Sequence, residues 1–301
     1  MIPGILLIFA PLVVGYLLPI SQHRLLKFVN RSTLVLVYSI LFLMGLSLAN
    51  VDNLSGNLQT IAITTSTFFI AISCANLLAL PVIDKYVNIT ISTAKVTLPI
   101  GKLLLESSRL IVVVGAGLII GLLAGVSLDW VGTSMETVLF VLLFFIGIQL
   151  RNSGLTLRQI VLNKHGVIIA FLVIATSWLG GLAAAYLLDI PLFKALAMSS
   201  GFGWYSLSGI LMSDAFGPIY GGSSFMIELL RELVSLVIIP ALIVRKPCTT
   251  IGYAGATSMD LTLPIIQMSG GMQCVPIAIV SGFILSAVVP IFMLFFVSLA
   301  G

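Results

Sequence analysis

Four ionisable residues stand where the surrounding sequence is apolar. The stretch 223–244, SSFMIELLRELVSLVIIPALIV, carries Glu228, Arg231 and Glu232, and TSMDLTLP further on carries Asp260. An ionised side chain at the centre of a bilayer costs about 2.5–3.5 kcal/mol even on the lenient insertion scale, so such groups face a cavity or a partner and mark function by default. On a helix Glu228 and Arg231 are i, i+3 neighbours, and Glu228 and Glu232 share a face at i, i+4. A purely structural role would have Arg231 neutralise one glutamate while the trio stitches helices together. One base cannot satisfy two acids, however, and Asp260 adds a third. Asp260 lies beside Ser258 and Thr262 and ahead of Pro264. There it either caps a short helix or serves as a cation-binding carboxylate at a helix break. Three acids against one base predict a site of net negative charge whose ligand is a cation.

A second polar cluster could hold the other end of such a ligand. The segment 195–213 places Ser199, Ser200, Gly201, Gly203 and Ser206 around its middle. Backbone N–H groups and hydroxyls at a break of this kind suit a carboxylate. Trp204 and Tyr205 either cover an ammonium by cation–π contact or act as packing and interface anchors. Metal chemistry has no footing: His23 and His165 fall in basic loops, and Cys74, Cys248 and Cys274 show no paired ligand spacing. Three cysteines also make no disulfide framework. No cofactor is expected, and an intramembrane enzyme would lack both a nucleophile set and a metal set.

The elements that position these residues follow from composition. Of 301 residues, 59% are hydrophobic and 8% charged, and the mean hydropathy is +1.22. Soluble domains carry about 25% charged residues, so a cytosolic enzyme is excluded. A formal charge of +4 over 14 basic residues makes no concentrated patch for nucleic acid. What remains is a single all-α polytopic membrane domain, 1–301. Spans of about 20 apolar residues are expected at 4–20, 33–51, 61–83, 108–128, 136–150, 166–188, 223–244 and 275–299. The first reads as a retained helix and not a signal peptide, because no basic region precedes it.

Charge bias orients these eight spans. Arg24, Lys27 and Arg31, then Lys85, Lys95, Lys102 and Arg109, then Arg151, Arg158 and Lys164, then Arg245 and Lys246 follow the odd-numbered spans. The opposite loops hold Asp52, Asp129, Glu136, Asp189 and Asp214 with one base, Lys194. The positive-inside rule then puts both termini outside. The weaker stretches 195–213 and 250–271, broken by glycine, serine and Pro264, are read as re-entrant hairpins, since broken backbone at membrane depth must be shielded by protein or line water.

An internal repeat organises the spans. LFLMGLSLAN (41–50) aligns without a gap with LFFIGIQLRN (143–152), a period of 102 residues. The two copies run in opposite directions, so the repeat is inverted. A fainter echo links GFGWYSLSGIL (201–211) with GATSMDLTLPI (255–265). The expected units are 1–83 with 247–301, and 103–246 nested between them. Inverted repeats with discontinuous segments meeting near the midplane belong to secondary transporters.

Through LFLMGLSLANVDNL, IGIQLRNSGLTLRQIVLN, ALAMSSGFGWYSLSGIL, ELLRELVSLVIIPALI, GATSMDLTLPIIQ and PIAIVSGFILSAVVPI, the chain resembles the bacterial L-lysine exporter family LysO along nearly its whole length. The segment 84–102 adds nothing to that likeness. The resemblance implies multi-pass insertion in the bacterial inner membrane, export of L-lysine and close basic analogues, and Glu232 and Asp260 as essential intramembrane acids. The expected cycle has those two acids bind the lysine ammonium groups when ionised and release them outside when protonated, since burial and a nearby acid favour protonation, with one proton exchanged inward for each lysine outward. L-Lysine, protons and membrane lipid are the expected partners, with no nucleic acid, and a homo-oligomer is left open. A sodium-coupled carrier of an organic anion on a similar scaffold is the rival transporter, separable by sodium dependence.

Overall fold

The computed structural model describes residues 2–18, 20, 22–49, 54–86, 100–124, 129–152 and 163–300. Asp52, Lys95 and Arg158 of the charge count lie outside them. The helices are α1 (Ile2–Leu17), α2 (His23–Ala49), α3 (Leu54–Ala79), α4 (Pro81–Tyr86), α5 (Ile100–Ala124), α6 (Asp129–Arg151) and α7 (Lys164–Leu188). They continue with α8 (Leu192–Met198), α9 (Tyr205–Phe216), α10 (Pro218–Leu242), α11 (Pro247–Ala254), α12 (Leu263–Gly270) and α13 (Val275–Ala300). A 3-10 turn, Gly255–Met259, follows α11, and no strand occurs among the described residues.

Among the described residues five stretches are long and apolar enough to cross a membrane: Arg24–Ala49, Gly56–Tyr86, Trp130–Gln149, Lys164–Leu188 and Val275–Ala300. The chain is therefore an all-helical polytopic membrane protein. Helix α10 has 25 residues, enough to span about 37 Å, but carries three charges. Four helices begin seven or more residues earlier than hydropathy suggests: α2 at His23 against an expected 33, α3 at Leu54 against 61, α5 at Ile100 against 108, and α6 at Asp129 against 136. In α2 the extension holds Arg24, Lys27 and Arg31, all exposed. Hydropathy marks where the apolar stretch ends, whereas the helix continues for as long as its backbone can be hydrogen-bonded.

The helices sort by their packing. Helix α1 lies against α6 and α2 against α5, with α2 also touching α6; α3 pairs with α7 and α10, and α13 packs against α7, α8 and the 3-10 turn. Two of these contacts use glycines that let backbones touch, the usual device where no hydrophobic force drives helices together in lipid. A Cβ on Gly117 would collide with the Phe42 carbonyl oxygen, and one on Gly45 with that of Val114. A Cβ on Gly15 would collide with the Phe144 carbonyl oxygen, and one on Gly147 with that of Leu12. Each residue of one α1–α6 contact thus lies 102 residues from its counterpart in the α2–α5 contact, Gly15 with Gly117, Gly45 with Gly147, Phe42 with Phe144 and Leu12 with Val114.

Both broken segments return to the end from which they start. In the first turn of α8 the Lys194 ammonium sits 4.8 Å from the Phe216 ring centroid and 4.2 Å from that of Tyr220, the end of α9 and the beginning of α10. At the other end of α10, Gly270, which closes α12, packs so tightly on Ile243 that a Cβ would come within 2.6 Å of its Cδ1. The two segments, 192–216 and 247–270, therefore enter from opposite ends of α10. Their tips meet midway, where the Ala256 N–H donates to the Phe202 carbonyl at 2.8 Å. The base of the second segment is fixed to α4: the Asp84 carboxylate accepts the N–H groups of Cys248 (2.7 Å) and Thr249 (3.0 Å).

The glycine contacts can be tested one helix at a time. Gly117→Ala should destabilise the detergent-solubilised protein by about 1–3 kcal/mol through overpacking. Gly115→Ala on the same helix, where nothing lies within 4 Å, should leave the thermal unfolding midpoint unchanged or slightly raised.

Candidate functional site

Both tips owe their shape to residues in left-handed backbone. Phe202 (φ 45°) and Gly203 (φ 99°) end the first descent, and Gly255 (φ 67°) turns the chain after α11. A side chain at Gly203 would press on the Ala254 carbonyl at 2.9 Å, and one at Gly255 would collide with the Phe202 carbonyl. Phe202, which has a Cβ and so bears strain in this region, is buried and meets Phe292 edge-on at 6.4 Å between ring centroids.

Beside the meeting tips lies a cavity of about 330 Å³. Helix α2 lines it with Asn30, Thr33, Leu34 and Val37, and α6 with Ile146 and Gln149. The first tip contributes Gly203, Trp204, Tyr205 and Ser206; α10 contributes Glu232; the second tip contributes Ala256, Thr257, Met259, Asp260 and Leu261; α13 contributes Ser286. Six residues singled out by sequence therefore share one chamber: Gly203, Trp204, Tyr205, Ser206, Glu232 and Asp260. Glu232 is 1% exposed, whereas Asp260 is open to the chamber. The Asp260 carboxylate accepts the N–H of Leu261. It does not cap α12, whose N-cap Thr262 makes no side-chain capping bond. Ser206 is 8% exposed and sits in the first turn of α9, whose N-cap Trp204 also makes no side-chain capping bond. That turn leaves N–H groups without intrahelical partners beside the cavity. Tyr205 packs edge-on against Phe225, 6.0 Å between centroids.

Four other expected site residues do not line the chamber: Glu228, Arg231, Gly201 and Ser258. Glu228 accepts the Gly203 N–H at 2.6 Å. Arg231 Nε donates to the Tyr253 carbonyl at 2.9 Å and its Nη2 to the Gly252 carbonyl at 3.2 Å. The two charges approach each other to 3.9 Å. Gly201 makes room for Glu228, since a Cβ there would lie 2.6 Å from its Oε1. The Ser258 hydroxyl donates to the Ala278 carbonyl at 2.9 Å and ties the second tip to α13.

The chamber also has a polar mouth that sequence reasoning passed over. The Gln149 amide donates to Asn30 Oδ1 and to the Thr33 hydroxyl, each at 3.0 Å. A signal was available, because Gln149 interrupts the apolar string LFFIGIQL, and Asn30 and Thr33 stand at i, i+3 on α2. Chemically, two carboxylates from different elements, no basic residue in the lining, two aromatic rings and a helix start are the groups that could receive a cation also carrying an anionic group. Among the described residues no His, Cys, Asp and Glu cluster could hold a metal ion.

The difference between Asp260 and Ser258 is open to chemical labelling. In a background with Cys74, Cys248 and Cys274 replaced, Asp260→Cys should react with a charged, water-borne methanethiosulfonate. Ser258→Cys, fully buried, should not, as read by the mass of the intact protein.

Residues 111–297 match the family model described as lysine exporter LysO. The chain is 46% identical over 297 residues to the lysine exporter LysO of Escherichia coli (strain K12), covering 98% of this chain and 99% of that protein. It is 42% identical over 182 residues to a putative lysine exporter of Haemophilus influenzae (strain ATCC 51907 / DSM 11121 / KW20 / Rd), covering 60% of this chain and 93% of that one. No solved structure matches it.

Proposed function

The chain belongs to the LysO family of lysine exporters, and from that premise we propose how its geometry moves the substrate. It is a multi-pass inner-membrane protein that exports L-lysine. The observation that carries the mechanism is the convergence of Glu232, from α10, and Asp260, from the second tip, on one chamber without a base. These acids hold the ammonium groups of lysine or of a close basic analogue. The first turn of α9, with Gly203 and the Ser206 hydroxyl, receives the carboxylate, and Trp204 and Tyr205 flank the aliphatic chain. One of the two acids keeps a proton while lysine is bound, and protonation of the other discharges the cation on the far side. Moving one positive charge outward against an inside-negative potential costs about 2.3 kcal/mol per 100 mV, and a proton moving inward for each lysine cancels that term.

The membrane arrangement follows from the same residues. Eight crossings, α1, α2, α3, α5, α6, α7, α10 and α13, flank two re-entrant hairpins, with both termini outside. The return of each broken segment to its own end of α10 supports this. The chamber opens between the start of α2 and the end of α6, beside Arg24, Lys27, Arg31 and Arg151. The positive-inside rule makes that end cytoplasmic, so the conformation is the one that loads lysine. Two inverted units, 1–83 with 247–301 and 103–246, are supported by the glycine contacts repeating at 102 residues. The Asp84 bond between α4 and α11 is in keeping with them, since it ties the residue just after the first part of the outer unit to the start of its second part.

Glu232→Gln and Asp260→Asn should each abolish proton-coupled lysine counterflow in proteoliposomes without loss of folded protein. Undiminished counterflow in either variant would remove that acid from the mechanism.

A further inference from the structure

Where the two tips cross, backbone oxygens and a carboxylate gather around a single cationic side chain. Half-helix C-termini and unwound carbonyls at such crossings are where transporters coordinate small cations. Here α11 ends at Ala254, and its last carbonyls, Gly252 and Tyr253, point at the guanidinium of Arg231. The Glu228 carboxylate completes the surround at 3.9 Å, and it is anchored in turn by the Gly203 N–H of the other tip. The Tyr253 ring lies 5.8 Å from the guanidinium carbon. No room is left over: a Cβ on Gly255 would lie 3.2 Å from an Arg231 nitrogen. Arg231 is 2% exposed and Glu228 1%. One oxygen of Glu228 and one nitrogen of Arg231 are buried without a hydrogen-bond partner.

We propose that Arg231 is the resident cation of this crossing, occupying the oxygen set that a sodium ion would otherwise take, so that lysine export is independent of sodium. A guanidinium is charged at every physiological pH and has the geometry to donate to several acceptors at once. It therefore fills the end of α11 with a charge that cannot exchange with solvent. It also matches the negative pole of that helix end. Arg231 is in this sense a positioning residue: it fixes both tips and confines exchangeable cations to the chamber beyond them. Its removal leaves two helix-end carbonyls and a buried carboxylate with no counter-charge, which is a site for a small monovalent cation.

The test uses the full-length protein, purified and reconstituted. Wild-type lysine counterflow should be the same in sodium and in choline media. Arg231→Ala should lose activity at least about tenfold, as expected when one partner of a buried charge pair is deleted. Sodium, or guanidinium at millimolar, non-denaturing concentration, should then raise the melting temperature of Arg231→Ala with dose and restore part of its counterflow, while leaving the wild type unaffected. Arg231→Lys, which keeps a cation, should retain more activity than Arg231→Ala and show no response to either ion. If Arg231→Ala does not yield folded protein, Arg231→Gln replaces it and is read in the same way. A wild type that needs sodium, or a folded variant whose melting temperature ignores both cations, overturns the proposal. The proposal rests on the transport reading above only for its activity measurements. Absence of lysine counterflow by the wild type in every medium would count against that reading, while the melting experiment would still report on the crossing.

Discussion

Peptide groups released by a helix break inside a membrane find no water in the lipid, so the protein must either pair them itself or line a cavity with them. Here several groups of the broken ends are paired with one another and with α10. Ala256 donates to Phe202, Glu228 accepts from Gly203, and Arg231 donates to Gly252 and Tyr253. These bonds form one connected knot that holds the first turn of α9 and the residues after α11 side by side, and the chamber exists because they are held there. Two of the three charges on α10 are thereby engaged with backbone, and the third, Glu232, is the one that α10 presents to the chamber.

That division explains which parts of the site were readable beforehand. The i, i+4 spacing of Glu228 and Glu232 puts them on one face, as expected, but four residues also separate them by about 6 Å along the helix axis. The step is enough to set Glu228 at the level of the first tip and Glu232 at the level of the chamber. Periodicity gives the angle around a helix and says nothing of what stands opposite at each level. Asp260 was legible for a different reason. A charge among glycine, serine and proline in an otherwise apolar chain has few structural uses, and its backbone (φ −132°, ψ −93°) belongs to neither helix nor strand. Asn30, Thr33 and Gln149 escaped notice because neutral amides and hydroxyls are cheap in helices near a membrane surface, and only contact between α2 and α6 makes them a group.

The fold shows the same pattern. The run LFLMGLSLAN and its counterpart are visible as letters because five of the ten are the same in a single ungapped stretch. Gly15 and Gly117 are not, since each lies in a Leu- and Val-rich helix where one glycine carries little information. Their meaning appears only when the partner backbone is seen touching them. A contact needs two helices, and a linear scan presents one at a time. Hydropathy likewise located the helices but not their ends, as the exposed basic turns of α2 illustrate.

The charge arrangement of the core also bears on how a dibasic solute could be moved without trapping it. Glu228 and Arg231 offset each other at the crossing, so the chamber beyond them is left with two carboxyl groups, those of Glu232 and Asp260. On the exchange mechanism proposed for this protein, two carboxylates are neutralised either by one lysine, whose net charge is +1, together with one proton, or by two protons. Alternating between these states carries one lysine outward for one proton inward and leaves the chamber neutral each time it turns from one face to the other. The neutral mouth of Asn30, Thr33 and Gln149 suits the same cycle. Amides and hydroxyls can replace part of the hydration of an approaching ammonium, yet they add no charge that would hold it short of the acids or hinder a proton from following. A third acid at that position would raise the charge to be cancelled and break the one-for-one balance.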